Sequence, residues 1–536
     1  MAPYLSDLAP PKKREGVGNS SLTITTSSPE AQAYFNRGLS LLHCFWELEA
    51  YRNFLEVVRL DPDCAMGYWG ICMSLPGKTI EAQGPRTNAL ASARRLGPTT
   101  SAHEQLYIEG IGALIEGGPP AYIPILRRIN EQYPDDLDAK AWLAYFVQNG
   151  YLAGTTIRNR GQSEALRLLD EGLKKAPDHL ALHHYRIHVL ESGPEFLLAK
   201  TNAERLLEIA PNSAHLLHMP GHLFFLSGDY ARARDAFIAS DQFDTDYLKA
   251  EGLPAYDHPH YLHNLHYLAL CQAELGQKQQ ALATARRYRD IALDPNRDKP
   301  EGRFQQLYEG RAMETKVAMR FADWGAALQA LEPINPDDRT SGCLGADQYH
   351  EALRTYLRGR IACAAGEQEA ARATIKAIET LGRQMIQTPK TFQVSSQGLY
   401  HKKALQYIDV LLHELKLCAS SPAGGRVSAL WTGRAAEIEA KIGYQEPPVT
   451  ARPALFTTGE VFLAHERWTD AIDAFTSTLK SRPNSPWANV SLARAYRGAG
   501  NMAAAQQSYR NALAVWSDQA DPDLPELLEA TSGAAE

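Results

Sequence analysis

The sequence predicts an all-α chain, wound as a right-handed solenoid of helix–turn–helix units, on three observations. Small and aromatic residues recur at a spacing of 34 residues, the length of one two-helix unit. Pro and Gly punctuate the pattern where a helix has to stop. Runs of alternating β-branched residues bounded by hairpin turns are almost absent.

Taken in order, residues 1–28 are polar and rich in Pro, Ser and Thr, which predicts a disordered segment. The solenoid is expected over 29–420. Its first unit sets Tyr34, Gly38, Ala50, Phe54 and Pro62 in register, with the small residues where paired helices approach closely. The stretch Gly150–Gly161 is longer than a repeat turn. More degenerate units follow, marked by Ala199 and Pro211, by Gly221, Phe224, Gly228, Ala233 and Phe237, and by Ala269, Gly276 and Ala281. Residues 241–257 read as an insertion, and Gly359, Gly366 and Ala371 mark a further unit. SSPAGGR (420–426) and YQEPPVTARP (444–453) predict a loop-rich connection over 421–453, with a weak boundary near 420–450. A C-terminal pair over 454–516 carries Gly459, Ala471, Phe475 and Pro483, then Leu492, Ala493, Tyr496, Gly500, Ala505, Tyr509 and Ala512. The acidic, Ala-rich tail 517–536 is expected to fray after a last short helix.

Bulk composition narrows the function. A net charge of −7 over 536 residues, with no basic stripe, argues against a nucleic-acid partner. No apolar run approaches the ~20 residues that span a bilayer, and the N-terminus has no apolar signal core. The seven Cys (44, 64, 72, 271, 343, 363, 418) are scattered and odd in number, as expected of reduced thiols in the cytoplasm. Cys64 reads as a small core residue rather than a nucleophile, since no base is placed beside it by sequence. Trp46, Trp69 and Trp142 read as repeat packing. No phosphate loop, serine-hydrolase elbow, H-E-x-x-H or dinucleotide fingerprint is present.

The histidines carry the chemistry. Eleven of the 17 fall between His179 and His266. His184 and His188 are four residues apart, and His218 and His222 repeat that pair 34 residues later, with His215 on the same face. His263 and His266 follow in the next unit. Spacings of three, four and seven share one face of a helix. Neighbouring helices lie ~8–10 Å apart, so imidazoles from adjacent units can converge on one ion. Packing requires no such run of imidazoles. A metal site is therefore preferred over metal-free acid/base use or a structural network. Within it, His184, His188, His218, His222 and His263 are expected as ligands, and His215, His266 and Glu191 as catalytic or supporting groups. Seven His exceed one tetrahedral shell, so either two ions bind or some His support others. His179, His183, His258 and His260 read as flanking residues, Asn264 as a residue that orients a ligand, and His43 as incidental. Nitrogen-rich ligation suits copper first, with iron or zinc as alternatives, rather than calcium or magnesium.

The repeat pattern resembles that of tetratricopeptide-repeat (TPR) proteins. DPDCAMGYWG (61–70), HYRIHVLES (184–192), HLLHMPGHLFFLSGDY (215–230), HNLHYL (263–268) and MRFADW (319–324) are similar to a His-rich family of such proteins widespread in bacteria. Its segments read HYxIH, HMPSH and HNxHFL. Gly221 stands where that family has Ser. EPP (446–448) is kept, without the aromatic run that usually follows. The resemblance spans about 30–515 and implies the solenoid fold and a concave groove at the His positions, but no particular reaction.

The sequence thus points to a metal-dependent oxidoreductase acting on a small molecule at the His-rich groove. The alternatives are a peptide-binding scaffold with a protein partner on its repeat surface, and a metal-storage protein without turnover.

Overall fold

Consecutive helices pack as hairpins along much of the computed structural model, which describes residues 8–75, 80–152, 155–255, 258–293, 304–331, 343–387, 396–420 and 426–536. Among them the sole β feature is an isolated bridge between Tyr151 and Arg158. The all-α helical-repeat expectation holds. The contacts divide the chain into one unit of Met1–Leu223 with Gln242–Asp244 and a second of Phe224–Asp241 with Thr245–Glu536. That division falls inside the helix Ala214–Ser227.

In the first unit, the helix Pro29–His43 starts where the Ser28 side chain accepts from the Ala31 N–H and Pro29 presets the backbone. It pairs with Glu47–Leu60. Gly38 is required there: a Cβ would meet the Phe54 ring at 2.8 Å. Trp69 lies 6.1 Å from the Phe35 ring and 5.3 Å from Tyr107, so it is packing, as its position in the repeat predicts. The helix Ala102–Gly117 opens on a capping box between Ser101 and Glu104. The Leu137–Val147 and Arg160–Lys175 helices flank the expected long loop, whose residues 153–154 lie outside the described set. Arg158 closes that loop on Glu195 with two hydrogen bonds of 2.5 and 2.6 Å.

The expectation of disorder over 1–28 is corrected for 8–28; residues 1–7 lie outside the described set. This extended strap is pinned along its length. Arg52 donates to the Ala9 carbonyl at 2.9 Å, and Gly16 accepts from the Asn212 N–H at 3.0 Å. The Asn19 side chain accepts from the Leu180 N–H at 3.2 Å, and the Ser40 hydroxyl accepts from the Ser20 N–H at 3.0 Å. Thr25 donates to Glu104 at 2.5 Å. Gly18 sits at φ 112°, where a Cβ would strike Leu180. Val17, Leu22 and Ile24 are buried. Composition misses this because few apolar residues suffice when side chains of the helices supply the hydrogen bonds.

The stretch 241–257 that reads as an insertion is helical over 241–251: the helix Tyr230–Glu251 runs through it and stops at Gly252, left-handed at φ 64°; residues 256–257 lie outside the described set. In the second unit, Pro259–Glu274 pairs with Lys278–Arg289. A π-helical turn follows at Gln306–Gly310, where the Gln306 amide donates to the Tyr288, Arg289 and Ile291 carbonyls. Arginines and rings alternate in this unit's core. Arg360 lies 4.3 Å from the Trp324 centroid, and Arg452 lies 5.4 Å from Trp324 and 4.8 Å from Phe456. Arg320 lies 5.6 Å from Phe456 and 5.2 Å from Trp487. The connection over 421–453 contains the helix Arg434–Ile442, while 421–425 lie outside the described set. In the C-terminal pair, Gly459 admits Phe475 as Gly38 admits Phe54: a Cβ would lie 2.6 Å from the ring. The tail carries the expected last short helix. Pro525–Ala535 is a helix with Ala530 buried, seated on Tyr509 through Gly533. No described helix is long and apolar enough to cross a membrane.

Candidate metal centre

Two helices place the imidazoles, all of which fall within the first unit. Leu180–Glu191 carries His184 and His188 one turn apart, and Ala214–Ser227 carries His215, His218 and His222. Pro220 lies inside the second helix, so the Leu216 carbonyl has no α-helical N–H to accept.

The rings converge. His184 Nε2 lies 2.8 Å from His215 Nε2 and 3.0 Å from His188 Nε2. His218 Nε2 and His222 Nε2 are 2.5 Å apart. The other ring nitrogens identify what the facing atoms are. His184 Nδ1 donates to the His43 carbonyl at 2.6 Å, and His188 Nδ1 donates to Glu191 Oε1 at 2.6 Å. A neutral imidazole that spends its N–H on Nδ1 presents a lone pair at Nε2. His184 therefore offers one lone pair to two neighbours, and a single lone pair cannot receive two linear hydrogen bonds. A cation in the gap satisfies all three nitrogens. Zn–N bonds of ~2.0–2.1 Å in a tetrahedron would set the nitrogens roughly 3.3 Å apart, a few tenths of an ångström wider than here.

Glu191 is not aimed into the gap. Oε1 takes the His188 Nδ1–H, and Oε2 takes that of His222 at 2.9 Å. Burial alone would push this carboxyl up, but the two imidazoles outweigh it and hold Glu191 well below the usual carboxylate range. The pattern is that of a carboxylate orienting ligand histidines.

His184, His215, His218 and His222 are buried, and His188 is half-buried. Phe45 lies over the trio, its centroid 4.7 Å from His184, 5.4 Å from His188 and 5.2 Å from His215. It holds φ 55°, a backbone region that costs an aromatic residue strain and that is kept where the surroundings impose it. Sequence reasoning missed Phe45, since nothing in LHCFWE announces a left-handed backbone. It also set His43 aside, and that is corrected. His43 is buried; Nε2 lies 3.0 Å from Asp138 Oδ1, Nδ1 lies 2.9 Å from the Tyr185 hydroxyl, and its carbonyl fixes the His184 tautomer. Trp142 packs 4.5 Å from the His43 ring.

The remaining expectations divide. His215, expected in a catalytic role, joins His184 and His188 as an equal member of the trio. His183 is a satisfied flank, between the Pro177 carbonyl at 2.6 Å and the Asn202 amide at 2.9 Å. His263 and His266 belong to the helix Pro259–Glu274 of the second unit. There His263 packs 5.2 Å from Tyr267. His266 is buried with Nδ1 3.6 Å from Glu309, and burial lowers its pKa against the pull of that carboxylate. Asn264 donates to the Phe237 carbonyl at 2.9 Å and so ties helices. Cys64 is buried, and burial pushes its thiol up to about 11, which removes it as a nucleophile.

Comparison with known proteins agrees on the repeat. Residues 264–291 match the tetratricopeptide repeat family model. This segment is one recognisable tetratricopeptide repeat within an all-α helical-repeat fold. No curated protein matches the chain. Among solved structures, the human IFIT1 dimer is 12% identical, with 92% of this chain and 91% of that one covered at TM-score 0.36. The APC/C hetero-tetramer Cut9-Hcn1 is 13% identical, covering 96% and 79%, at TM-score 0.31. Yeast Tom70 is 10% identical, covering 95% and 89%, at TM-score 0.25.

Proposed function

We propose that this protein binds a transition-metal ion at His184, His188 and His215 and uses it on a small molecule. The observation that carries the reading is the convergence of His188 and His215 on His184, whose Nε2 lies 3.0 and 2.8 Å from theirs, with the outer nitrogens of His184 and His188 held by oxygen acceptors. An all-nitrogen set suits copper, with iron or zinc as alternatives. Three protein ligands leave a coordination position open, as catalytic centres require and storage sites do not. Such an ion supplies Lewis-acid or redox chemistry; redox chemistry makes the protein an oxidoreductase. This chain's own residues would orient and shield it: Glu191 and the His43 carbonyl fix the tautomers, and Phe45 keeps water from one side.

The test is metal analysis by mass spectrometry after loading with copper or zinc and desalting. The expected result is stoichiometric metal in the wild type and its loss at this site in His184→Ala plus His188→Ala, with unchanged helical circular dichroism. Metal-free wild-type protein, or undiminished metal in the double variant, overturns it.

A second reading, a peptide-binding scaffold, is favoured by the repeat at 264–291, which lies in the second unit. It predicts peptide affinity that the same double substitution leaves untouched.

A further inference from the structure

We infer that the first unit holds a second metal ion, gripped by His218 and His222 and tied to the first through Glu191. The inference rests on the metal reading above and extends it from one ion to two.

His218 and His222 are spaced i, i+4 on one helix, the arrangement by which a helix presents two imidazoles to one transition metal. Both are buried, and their Nε2 atoms face each other at 2.5 Å. His222 gives its Nδ1–H to Glu191 Oε2, so its Nε2 carries a lone pair directed at His218. His188 stands in the same relation to Oε1 and serves the trio. One carboxylate thus fixes the tautomer of one imidazole in each group. Its two oxygens are divided between them, and its single negative charge serves both. The second imidazole satisfies the other buried carboxylate oxygen and, in the same contact, orients a ring of the second group. A carboxylate needed to hold two ligand sets at a set separation would be placed this way. The rings of His215 and His218, consecutive members of the two groups, are nearly parallel with centroids 6.3 Å apart. An ion pair can hold a small exogenous ligand between its members.

The competing account is a plain hydrogen bond from His218 Nε2–H to His222 with no ion. Equilibrium loading of the full chain with copper, and separately with zinc, followed by desalting and mass-spectrometric metal analysis, decides between them. The expected result is two equivalents in the wild type, one in His222→Ala and one in His184→Ala. A single equivalent in the wild type, untouched by His222→Ala and lost in His184→Ala, overturns the second ion and leaves the first standing. No metal in the wild type overturns both readings. Loss of both equivalents in His222→Ala with helicity intact also overturns the proposal, because the ions would then share one ligand set. Should His222→Ala lose helicity, His222→Gln, closer in volume and polarity, takes its place with the same expected single equivalent.

Discussion

Single ionisable groups illustrate how burial and partners set chemistry here. Glu191 and Glu414 are both buried carboxylates with opposite fates. Glu191 faces two imidazoles and stays ionised. Glu414 accepts from the Tyr356 hydroxyl at 2.8 Å, and burial outweighs the nearby Arg360, pushing its pKa up to about 7. The folded protein then holds a proton on Glu414 that the unfolded chain, at ~4.3, has already released. Between those values the folded state binds more protons, so stability falls as pH rises from about 4 to 7 and levels off above 7. The span corresponds to about 4 kcal/mol. Glu414→Gln should flatten this part of the profile. Urea unfolding at pH 5, 6, 7 and 8 checks it: an equal slope in wild type and variant would remove Glu414 as the cause.

At the scale of elements, close helix pairing is set by glycines whose missing Cβ makes room for a ring. A Cβ on Gly70, in the helix Ala65–Ser74, would sit 2.2 Å from a Phe54 ring carbon, whereas one on Gly84, in Ile80–Leu96, meets nothing within 4 Å. Both are helical, so Ala gains up to ~1 kcal/mol of propensity at each. At Gly70 the overpacking, typically ~1–3 kcal/mol, outweighs it. Gly70→Ala should therefore unfold at lower urea and Gly84→Ala at equal or higher urea. Two variants shifting the same way would show that propensity alone governs these positions. The strap over 8–28 works at the same scale. It bonds to the turn at Asn212, the start of Leu180–Glu191 and Ser40, and so ties down elements that carry the trio and its supporting His43.

For the molecule as a whole, the consequence of a metal in the first unit is linkage. An ion that binds the folded chain and not the unfolded one stabilises by ~2.7 kcal/mol at a hundredfold excess over Kd. Calorimetry should show a transition that rises with added copper or zinc and falls back with a chelator. In His184→Ala plus His188→Ala that rise should shrink. A melting profile indifferent to metal in the wild type would contradict the proposed function.

Much of the fold is legible in sequence because a two-helix repeat is a local object. The offsets from Gly38 to Phe54 and from Gly459 to Phe475 are the same 16 residues, and both are ring-on-glycine contacts. The i, i+4 spacing alone put His184 with His188 and His218 with His222, because helical periodicity decides which side chains share a face. The sequence could not reach what depends on distant backbone. The His184 tautomer is fixed by a carbonyl 141 residues away. His43 looked incidental because its partners, Asp138 and Tyr185, come from other hairpins. Phe45 reaches the trio only through a left-handed residue that no side-chain pattern encodes. His266 shares the spacing of the others, yet tertiary packing sets it against Glu309. Periodicity is enough to choose a helix and its face. Which ring nitrogen is left with a lone pair, and what that lone pair meets, is decided only when remote carbonyls and carboxylates close around it.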